Sequence, residues 1–313
     1  MATKYRNLFD KIANREALWK AYRKASKGKR KTLGYLQFRQ YEAANIEKLL
    51  TELQNGTYKP GTPRVFMIFE PKERKITALP FIDRVVQHAI HAVIEPVFDK
   101  TFLPNSFACR KGRGTHKAIK TLQGMLRKTS TDSVLKLDVK SYFHKIDLKI
   151  LWESINKKIK CKKTTDLLAL FHPKEGMGIP IGNLTSQLLA NVYGSILDKE
   201  IKTFNLDFVR YMDDIIILGN KRDLKTKFTV LTDFLKTMVL YWSKWSISKN
   251  NGINFLGHRI FKRFKLVKKD FKHKVRRRLK TGKDLEQYRT SILGHLMISD
   301  SYNLKNNLLK GNI

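Results

Sequence analysis

The feature that most constrains the fold is a pair of adjacent acids set between two apolar, β-branched runs. Residues 208–218 read Phe-Val-Arg-Tyr-Met-Asp-Asp-Ile-Ile-Ile-Leu, which predicts a β-hairpin with Asp213 and Asp214 at its tip. Neighbouring carboxylates repel each other, so their shared ionised state requires a countercharge. A divalent metal would supply it, and hard oxygen ligands suit Mg²⁺. A bare Asp-Asp pair is more often a solvated turn, so a second motif is needed.

That second motif is a strand that carries one acid. Strand alternation in the run Val-Leu-Lys-Leu-Asp-Val places Asp138 on one face together with Lys136, and three apolar residues on the other. The apolar residues are Leu135, Leu137 and Val139. An acid-bearing strand followed by a Tyr-Met-Asp-Asp hairpin is a much rarer pairing than either motif alone.

Charge narrows the choice of partner. Lys and Arg total 63 against 27 Asp and Glu, which gives a formal net charge of +36. Such an excess repels itself in a compact monomer unless a polyanion neutralises it. Nucleic acid is the natural partner, because phosphate contacts by Lys and Arg release counterions. A membrane-surface protein would concentrate the charge on one amphipathic segment, whereas here the charge is spread along the chain.

Length and composition bound the class of protein. A chain of 313 residues predicts two or three domains or subdomains, and an apolar share of 42% excludes wholesale disorder. No apolar run approaches the about 18 residues of a membrane span, and the charged N-terminus lacks an apolar signal region. We therefore expect a cytoplasmic protein with no membrane partner. Cys109 and Cys161 are isolated thiols rather than a disulfide framework or a zinc pattern.

Periodicity predicts a mixed α/β chain. Apolar residues at helical spacing indicate helices over residues 5–22, 36–53, 81–98, 115–128, 148–159, 184–201 and 223–240. Strands are expected over 65–69 and 76–79, with a turn over 71–75 between them and an irregular β region over 247–260. Thr115 is the expected cap of its helix. The segment from Lys262 onward is strongly basic.

In this order, the strand acid and the Tyr-Met-Asp-Asp hairpin resemble the palm motifs of the reverse transcriptases. The resemblance covers roughly residues 15–260 and implies an α/β (α+β) right-hand polymerase with fingers, palm and a short basic helical thumb. It predicts fingers with an N-terminal extension over 1–113, palm over 114–145, fingers over 146–180, palm over 181–257 and thumb over 258–313.

The resemblance implies nucleotidyl transfer with two Mg²⁺ ions per active site. Two metals about 4 Å apart stabilise both the attacking and the leaving oxygen, and Mn²⁺ could substitute. Asp138 and Asp213 are the expected ligands to both metals. Asp214 is the third carboxylate, and the Val139 carbonyl is an additional oxygen ligand. Lys244 is expected to protonate the pyrophosphate leaving group as a general acid.

The same resemblance assigns nucleotide-binding positions. Phe143 follows Asp138 by five positions, where a rigid ring under the sugar would exclude a 2′-hydroxyl and favour deoxynucleotides. Lys72 and Arg74 belong to a segment that resembles the fingers hairpin, and they would reach the triphosphate. The planar guanidinium suits phosphate oxygens, whereas Lys acts as a point charge.

Further basic residues are expected to contact nucleic acid. Two segments resemble template-contacting elements, and glycines in the second would let its cations approach a phosphate backbone closely. The expected contacts are Arg84, Arg110, Lys111 and Arg113, with Arg276 and Arg277 in the basic C-terminal segment. The implied partners are template RNA, the cDNA/RNA hybrid and deoxynucleoside triphosphates.

The most discriminating segment spans residues 178–187 and reads Gly-Ile-Pro-Ile-Gly-Asn-Leu-Thr-Ser-Gln. Most reverse transcriptases carry Gln-Gly here and end the motif in Ser-Pro, as group II intron and retron enzymes do. Ile181 and Gln187 depart from that pattern, and the segment is similar to that of diversity-generating retroelements of bacteria and phages. That resemblance implies adenine-mutagenic copying of a template-repeat RNA and a small basic oligomeric accessory protein. It also places both residues at the incoming nucleotide.

Two alternatives stay open. One is a retron-like or defence-type reverse transcriptase, whose expected loop differs over residues 181–187. The other is a catalytically silent RNA-binding scaffold with a polymerase fold. The intact Asp138, Asp213 and Asp214 count against the scaffold, because a scaffold has no need for clustered buried anions.

Overall fold

The structure is a computed structural model that describes residues 3–69, 73–280 and 285–309. The backbone divides into two compact units. The first unit comprises Met1–Leu103, Val139–Lys199 and Asp233–Tyr241, and the second comprises Pro104–Asp138, Glu200–Thr232 and Trp242–Ile313. The finer division into fingers, palm and thumb stays a prediction.

Groups of helices and groups of strands follow one another along the chain, which confirms the predicted mixed α/β class. The helices are α1 (Phe9–Ile12), α2 (Arg15–Ala25), α3 (Leu33–Gln40), α4 (Glu42–Asn55), α5 (Phe81–Asp99), α6 (Gly114–Lys128), α7 (Tyr142–Lys145), α8 (Leu148–Lys158), α9 (Lys162–Ala169), α10 (Leu184–Thr203), α11 (Lys221–Thr237), α12 (Lys269–Lys280), α13 (Leu285–Leu296) and α14 (Tyr302–Leu309). The strands are β1 (Arg64–Ile68), β2 (Arg74–Ala78), β3 (Ser133–Val139), β4 (Phe208–Tyr211), β5 (Asp214–Gly219), β6 (Trp242–Lys249), β7 (Ile253–Phe255), β8 (His258–Ile260) and β9 (Lys265–Val267). Within the described residues, no helix combines the length and apolarity that crossing a membrane requires.

Three sheets are formed by the described residues. In the first unit, β1 and β2 pair antiparallel, with Ile68 opposite Arg74 at one end and Arg64 opposite Ala78 at the other. In the second unit, β4, β5, β3 and β6 form a sheet in that order, and β5 runs antiparallel to both of its neighbours. A third sheet has the order β7-β8-β9. The strand acid and the acidic hairpin therefore lie in one sheet.

Each unit has its own apolar core. In the first unit, rings from α2, α3 and α5 pack together, with Tyr22 at 5.3 Å from Phe38 and 6.1 Å from Phe81 between ring centroids. In the second unit, α6 packs with the sheet and with β7 and β8. The buried residues of that core include Phe107, Ile119, Leu122, Leu126, Val134, Val209, Ile216, Leu218, Phe255 and Ile260.

The helix predicted over residues 36–53 is in fact two helices. Tyr41 separates α3 from α4, with φ −131° and ψ 44°. The Asn45 side-chain amide donates to the Phe38 carbonyl at 2.9 Å and so satisfies an acceptor at the end of α3. Buried residues continue at helical spacing on both sides of the break, which is why periodicity does not reveal it.

The predicted capping role of Thr115 is wrong. Helix α6 begins at Gly114, and its N-cap, Arg113, makes no side-chain cap bond. The Thr115 hydroxyl instead lies 3.3 Å from the Tyr211 hydroxyl, next to the acidic hairpin. A positive φ of 84° at Gly114 allows the chain to turn there one residue earlier than expected.

Candidate active site

The central sheet of the second unit positions the acids. In β3, Leu135 and Leu137 are fully buried, while Lys136 and Asp138 are partly exposed, which confirms the predicted faces. The register places Asp138 directly opposite Asp214. Directly opposed residues of an antiparallel pair share one face, so these carboxylates lie on the same side of the sheet.

The turn between β4 and β5 presents the second pair of acids. Tyr211 pairs with Asp214, so the two-residue turn is Met212 and Asp213, one residue earlier than the predicted tip of Asp213 and Asp214. Met212 has φ 61°, the left-handed conformation that short hairpin turns require. Because a side chain other than Gly costs about 1–2 kcal/mol there, contacts around the turn must hold Met212 in place.

Specific partners hold the carboxylates of Asp138 and Asp214. The Ser243 hydroxyl in β6 donates to Asp138 Oδ1 at 2.6 Å. Lys136 Nζ lies 3.6 Å from Asp214 Oδ1 and also donates to the Asn254 carbonyl at 2.9 Å. The hydroxyl fixes one carboxylate, and the ammonium partly neutralises the other.

Asp214 lies in an environment that disfavours its charge. Burial raises the pKa of Asp214 to about 6; the attraction of Lys136 opposes this shift, and repulsion from Asp138 and Asp213 adds to it. Its Oδ1 is buried and has no hydrogen-bond partner among the described residues. This oxygen forms an ion pair with Lys136 but makes no hydrogen bond, and it lies beside other acids, so a further cation would be stabilised there.

The acid cluster fits a hard divalent ion without being a complete cage. Among the described ranges, no group of three or more His, Cys, Asp or Glu side chains is arranged to hold a metal ion. Asp138 and Asp214 nevertheless share a face of the sheet, and Asp214 Oδ1 makes no hydrogen bond there. Carboxylate oxygens are the ligands that Mg²⁺ prefers, so the donor chemistry suits the predicted cofactor.

In the first unit, Phe143 and Tyr142 have different environments. Tyr142 is buried, and its hydroxyl donates to the Ala190 carbonyl at 2.7 Å. Phe143 is partly exposed, and its carbonyl accepts from the Ile179 amide at 2.8 Å. Tyr142 is therefore a core residue, which leaves Phe143 as the ring that a ligand can reach.

The loop before α10 is attached to β2. The Thr77 amide donates to the Ile181 carbonyl at 2.8 Å, so the strand that carries Arg74 lies against the loop that carries Ile181. Gly182 has φ 122°, and a Cβ there would clash with the Thr77 carbonyl oxygen. Glycine is thus required for this close approach. Gln187 is exposed on α10.

The other predicted contacts have varied surroundings. Arg110 donates to the Ser106 carbonyl at 2.8 Å, and Arg113 donates to the Pro104 carbonyl at 3.2 Å. Lys111 is exposed, as are Lys244 in β6, Arg277 in α12 and Arg74 in β2, whereas Val139 is buried and Arg84 is partly buried. Burial lowers the pKa of Arg84. Lys72 lies outside the described residues, as does the side chain of Arg276.

Sequence reasoning missed three partners in this region. Strand alternation puts Lys136 on the face of Asp138, but the sequence does not reveal that its ammonium pairs with Asp214. Ser243 could not be found, because the pairing of β3 with β6 is not readable from either strand alone. Arg210, one residue before the Tyr-Met-Asp-Asp run, is buried, and its charge inside an apolar run was the available sign.

Acids on neighbouring antiparallel strands of a strongly basic α/β chain are compatible with two-metal nucleotidyl transfer. A family described as "Reverse transcriptase (RNA-dependent DNA polymerase)" matches residues 59–260. This match covers more than half of the chain, and the chain belongs to the reverse transcriptase family. The predicted class of enzyme, an RNA-directed DNA polymerase, is thereby confirmed at the level of the family.

Several curated proteins are similar to part of the chain. It is 29% identical over 183 residues to the group II intron-encoded protein LtrA of Lactococcus lactis subsp. cremoris, covering 54% of this chain and 30% of that protein. It is 27% identical over 174 residues to protein YkfC of Escherichia coli (strain K12), covering 50% and 45%. It is 25% identical over 170 residues to nuclear intron maturase 4, mitochondrial, of Arabidopsis thaliana, covering 50% and 21%. The chain thus spans less than half the length of each.

Proposed function

We propose that this chain copies RNA into DNA by joining a primer 3′-hydroxyl to the α-phosphate of a deoxynucleoside triphosphate. The observation that carries the proposal is the cross-strand pair of Asp138 and Asp214, with Asp213 in the turn beside it. The buried Asp214 Oδ1 has an ion pair with Lys136 but no hydrogen bond, which supports a role beside cations rather than in packing.

In this proposal, Asp138 and Asp213 hold two divalent cations, with Asp214 as the third carboxylate and the Val139 carbonyl as a further oxygen. When bound, such cations activate the attacking hydroxyl and stabilise charge on the leaving oxygen. The chain itself orients the acids: Ser243 fixes the Asp138 carboxylate by its hydrogen bond.

Lys136 has a neutralising role beside these acids. Its ammonium lies 3.6 Å from Asp214 Oδ1 and keeps a positive charge at the site. Lys244, exposed on β6, is proposed to donate the proton that pyrophosphate needs when it leaves.

The first unit is proposed to hold the incoming nucleotide. Arg74 is exposed on β2, so its guanidinium is free to bind a triphosphate bidentately, with Lys72 as a second cation. The accessible ring of Phe143 would exclude a ribose 2′-hydroxyl. The attachment of Ile181 to β2 places the loop residue and Arg74 in one local structure.

Template RNA and the cDNA/RNA hybrid are the proposed polyanionic partners of the +36 charge. The proposed contacts are Arg84, Arg110, Lys111, Arg113, Arg276 and Arg277. For a single strand, the logarithm of the binding constant should fall with the logarithm of salt concentration by about 0.7 per phosphate contact neutralised. A flat salt dependence would contradict this assignment.

The finer proposal is an error-prone enzyme of a diversity-generating retroelement, working with a small basic oligomeric accessory protein. The support is Ile181, since an apolar side chain cannot supply the hydrogen bond that Gln would give near the nucleotide. Selectivity of about 10³-fold needs about 4 kcal/mol of differential transition-state binding. One charge-assisted hydrogen bond contributes about 1.5–3 kcal/mol, which is much of that margin.

Primer extension on a defined RNA template tests the polymerase proposal. Wild type should extend the primer with deoxynucleotides in the presence of Mg²⁺, and Asp138→Asn should lose extension while it still binds the RNA. Normal extension by Asp138→Asn would refute the catalytic assignment and favour the scaffold alternative. Manganese in place of magnesium checks whether the cofactor can be substituted.

Sequencing of the cDNA tests the subtype. Errors concentrated opposite template adenines, with or without the accessory protein, would support it, and a lower error rate in Ile181→Gln would assign the cause to this residue. A uniformly low error rate at all four template bases would contradict it. The adenine bias itself rests on the resemblance to the retroelement enzymes.

A further inference from the structure

Arg210 is the most unusual buried residue of the second unit. It is 1% exposed, and its guanidinium cannot lose its charge at physiological pH. A charged group is kept so far from water only where the surrounding structure gives it hydrogen bonds. Its position directly before the Tyr-Met-Asp-Asp run raises the question of what it holds.

The side chain of Arg210 holds the turn that carries Asp213. One guanidinium nitrogen donates to the Met212 carbonyl at 3.1 Å, and the other donates to the Ser106 hydroxyl at 2.9 Å. Met212 is in the left-handed conformation, so a bond to its carbonyl fixes the least favourable backbone of the turn.

The backbone of Arg210 holds a second segment. Its amide donates to the Asn105 carbonyl at 2.9 Å, and its carbonyl accepts from the Phe107 amide at 3.1 Å. The Asn105 side chain adds a bond to the Phe208 carbonyl at 2.7 Å. Ser106 therefore forms an isolated parallel β-bridge with Arg210 at the edge of β4.

This second segment leads into the proposed template contacts. The Arg110 guanidinium donates to the Ser106 carbonyl, and the Gly114 amide donates to the Phe107 carbonyl at 3.0 Å. Arg210 thus bonds both to the acidic turn and to the base of the loop of residues 104–114.

Arg210 acts through its neighbours rather than on reacting atoms. Alternation along β4 puts Arg210 and Tyr211 on opposite faces, and Tyr211 shares its face with Asp214 and Asp138. The guanidinium is therefore on the face of the sheet away from these carboxylates. Through its hydrogen bond to the Met212 carbonyl, Arg210 fixes the backbone conformation of the turn.

We propose that Arg210 is a positioning residue that couples the template-contacting loop to the acidic turn. When the loop binds RNA, the Ser106 and Met212 bonds of one guanidinium keep the turn in the geometry that presents Asp213. This inference rests on the proposed polymerase function and adds a mechanical link that the acids alone do not provide.

The test compares Arg210→Met, Arg210→Lys and Ser106→Ala with Phe208→Leu, each in the full chain. Phe208 is buried on the same strand and face, so Phe208→Leu is a matched control that perturbs packing without touching the turn. For each variant, the concentration of active enzyme is first determined by titration with template. The kcat and the KM for the deoxynucleotide are then measured, and the rate is measured as a function of Mg²⁺ concentration.

We expect Arg210→Met to lower kcat by about 10- to 100-fold, the value of one hydrogen bond to a charged group. KM should change little, the Mg²⁺ requirement should rise, and Arg210→Lys should restore part of the rate. Ser106→Ala should show a smaller loss of the same kind. Phe208→Leu should lower thermal stability and leave kcat per active enzyme unchanged.

Hydrogen exchange distinguishes coupling from packing, because a loss of packing alone would not change how template RNA affects the exchange of the turn amides. Template RNA should increase the protection of residues 211–214 in wild type and in Phe208→Leu, and should fail to do so in Ser106→Ala. If Arg210→Met does not fold, Ser106→Ala and Arg210→Lys decide the question.

Equal kcat and equal RNA-induced protection in wild type, Ser106→Ala and Arg210→Lys would overturn the coupling. Failure of the wild type to extend a primer would instead overturn the polymerase function itself, so the two failures are distinguishable.

Discussion

Two antiparallel hairpins of this chain have similar apolar strands and opposite surroundings. In the acidic hairpin (β4, β5 and the turn between them), Ile215 and Ile216 are fully buried. In the exposed hairpin (β1 and β2), Val65 is 51%, Phe66 is 39% and Met67 is 41% exposed. Apolar, β-branched sequence therefore predicts a strand in both places but does not reveal which one is covered.

The difference extends to the charges. The acids of the covered hairpin are partly buried, fixed by neighbours, and in one case shifted in pKa. Arg74 on the exposed hairpin faces solvent, where a cation retains its freedom to move onto a ligand. Few buried contacts mean low local stability. In the proposed function, the acidic hairpin holds the catalytic acids in fixed positions, and the exposed hairpin adjusts to the incoming nucleotide.

The largest effect is expected at the tip of the acidic hairpin. Asp213→Asn removes a proposed metal ligand and should lower kcat for primer extension by at least about 10²–10³-fold, as for other lost transition-state contacts. Binding of RNA should be nearly unchanged. Asp207→Asn is the matched control, because it removes the same charge from an exposed position just before β4. Comparable activity of the two variants would contradict the catalytic role.

Stability should separate the hairpins next. Ile216→Ala removes a fully buried side chain and should lower the free energy of unfolding by about 2–5 kcal/mol. Val65→Ala, on the exposed hairpin, should change it by no more than about 0.5 kcal/mol. Urea unfolding of both variants measures the difference. Equal losses would mean that the exposed hairpin is covered in solution.

A smaller effect is expected from the cation of the exposed hairpin. Arg74→Gln should raise KM for the deoxynucleotide about 10- to 100-fold, because it removes one charge-assisted contact, and it should not alter stability. Arg64→Gln is the matched control, since Arg64 lies at the opposite end of the same strand pair. An equal rise in KM for both would show that only overall charge matters.

Acid should destabilise the start of α10, which follows the loop to which the exposed hairpin is attached. His172 is buried, and its Nε2 lies 2.7 Å from the Thr185 hydroxyl at the start of α10. Burial lowers the pKa of His172 to about 3. Between an unfolded-state pKa of about 6.5 and the folded-state pKa of about 3, only the unfolded chain takes up this proton. The free energy of unfolding therefore decreases as the pH is lowered through this range, by up to about 1.4 kcal/mol per pH unit.

The measurement is the free energy of unfolding between pH 7 and 5. His172→Gln should reduce the slope of the free energy of unfolding against pH by the equivalent of up to one proton. In wild type, the amide of Thr77 bonds to the loop before α10 and should lose protection from hydrogen exchange before the amides of β5 do. An unchanged slope in the variant would show that His172 does not set the acid sensitivity.

Much of the fold followed from local patterns. Alternation predicts the two faces of β3, and two apolar runs that flank adjacent acids predict the acidic hairpin, because both signals lie within a few residues. The exact turn, Met212 and Asp213, depends on the strand register and differs by one residue from the prediction. The break at Tyr41 and the hydrogen bond of Thr115 depend on contacts beyond the local period, so periodicity could not show them.

Local sequence patterns indicate the acids of the candidate site but not the residues that support them. Asp138, Asp213 and Asp214 stand out because acids inside apolar strands are unusual. Ser243 reaches Asp138 only because β6 pairs with β3, a long-range pairing with no local signal. Primer extension by the Asp138→Asn and Asp213→Asn variants tests the roles of these acids.

Gly182 limits how this chain can vary. A Cβ at this position would meet the Thr77 carbonyl oxygen, while the neighbouring Ile181 is only partly buried. In a saturation library over residues 178–187, many replacements at Ile181 and Gln187 should therefore still fold, whereas almost none at Gly182 should. Gly178, where an added Cβ would meet the His144 carbonyl oxygen, is constrained in the same way, so these two glycines limit which sequences the loop can adopt.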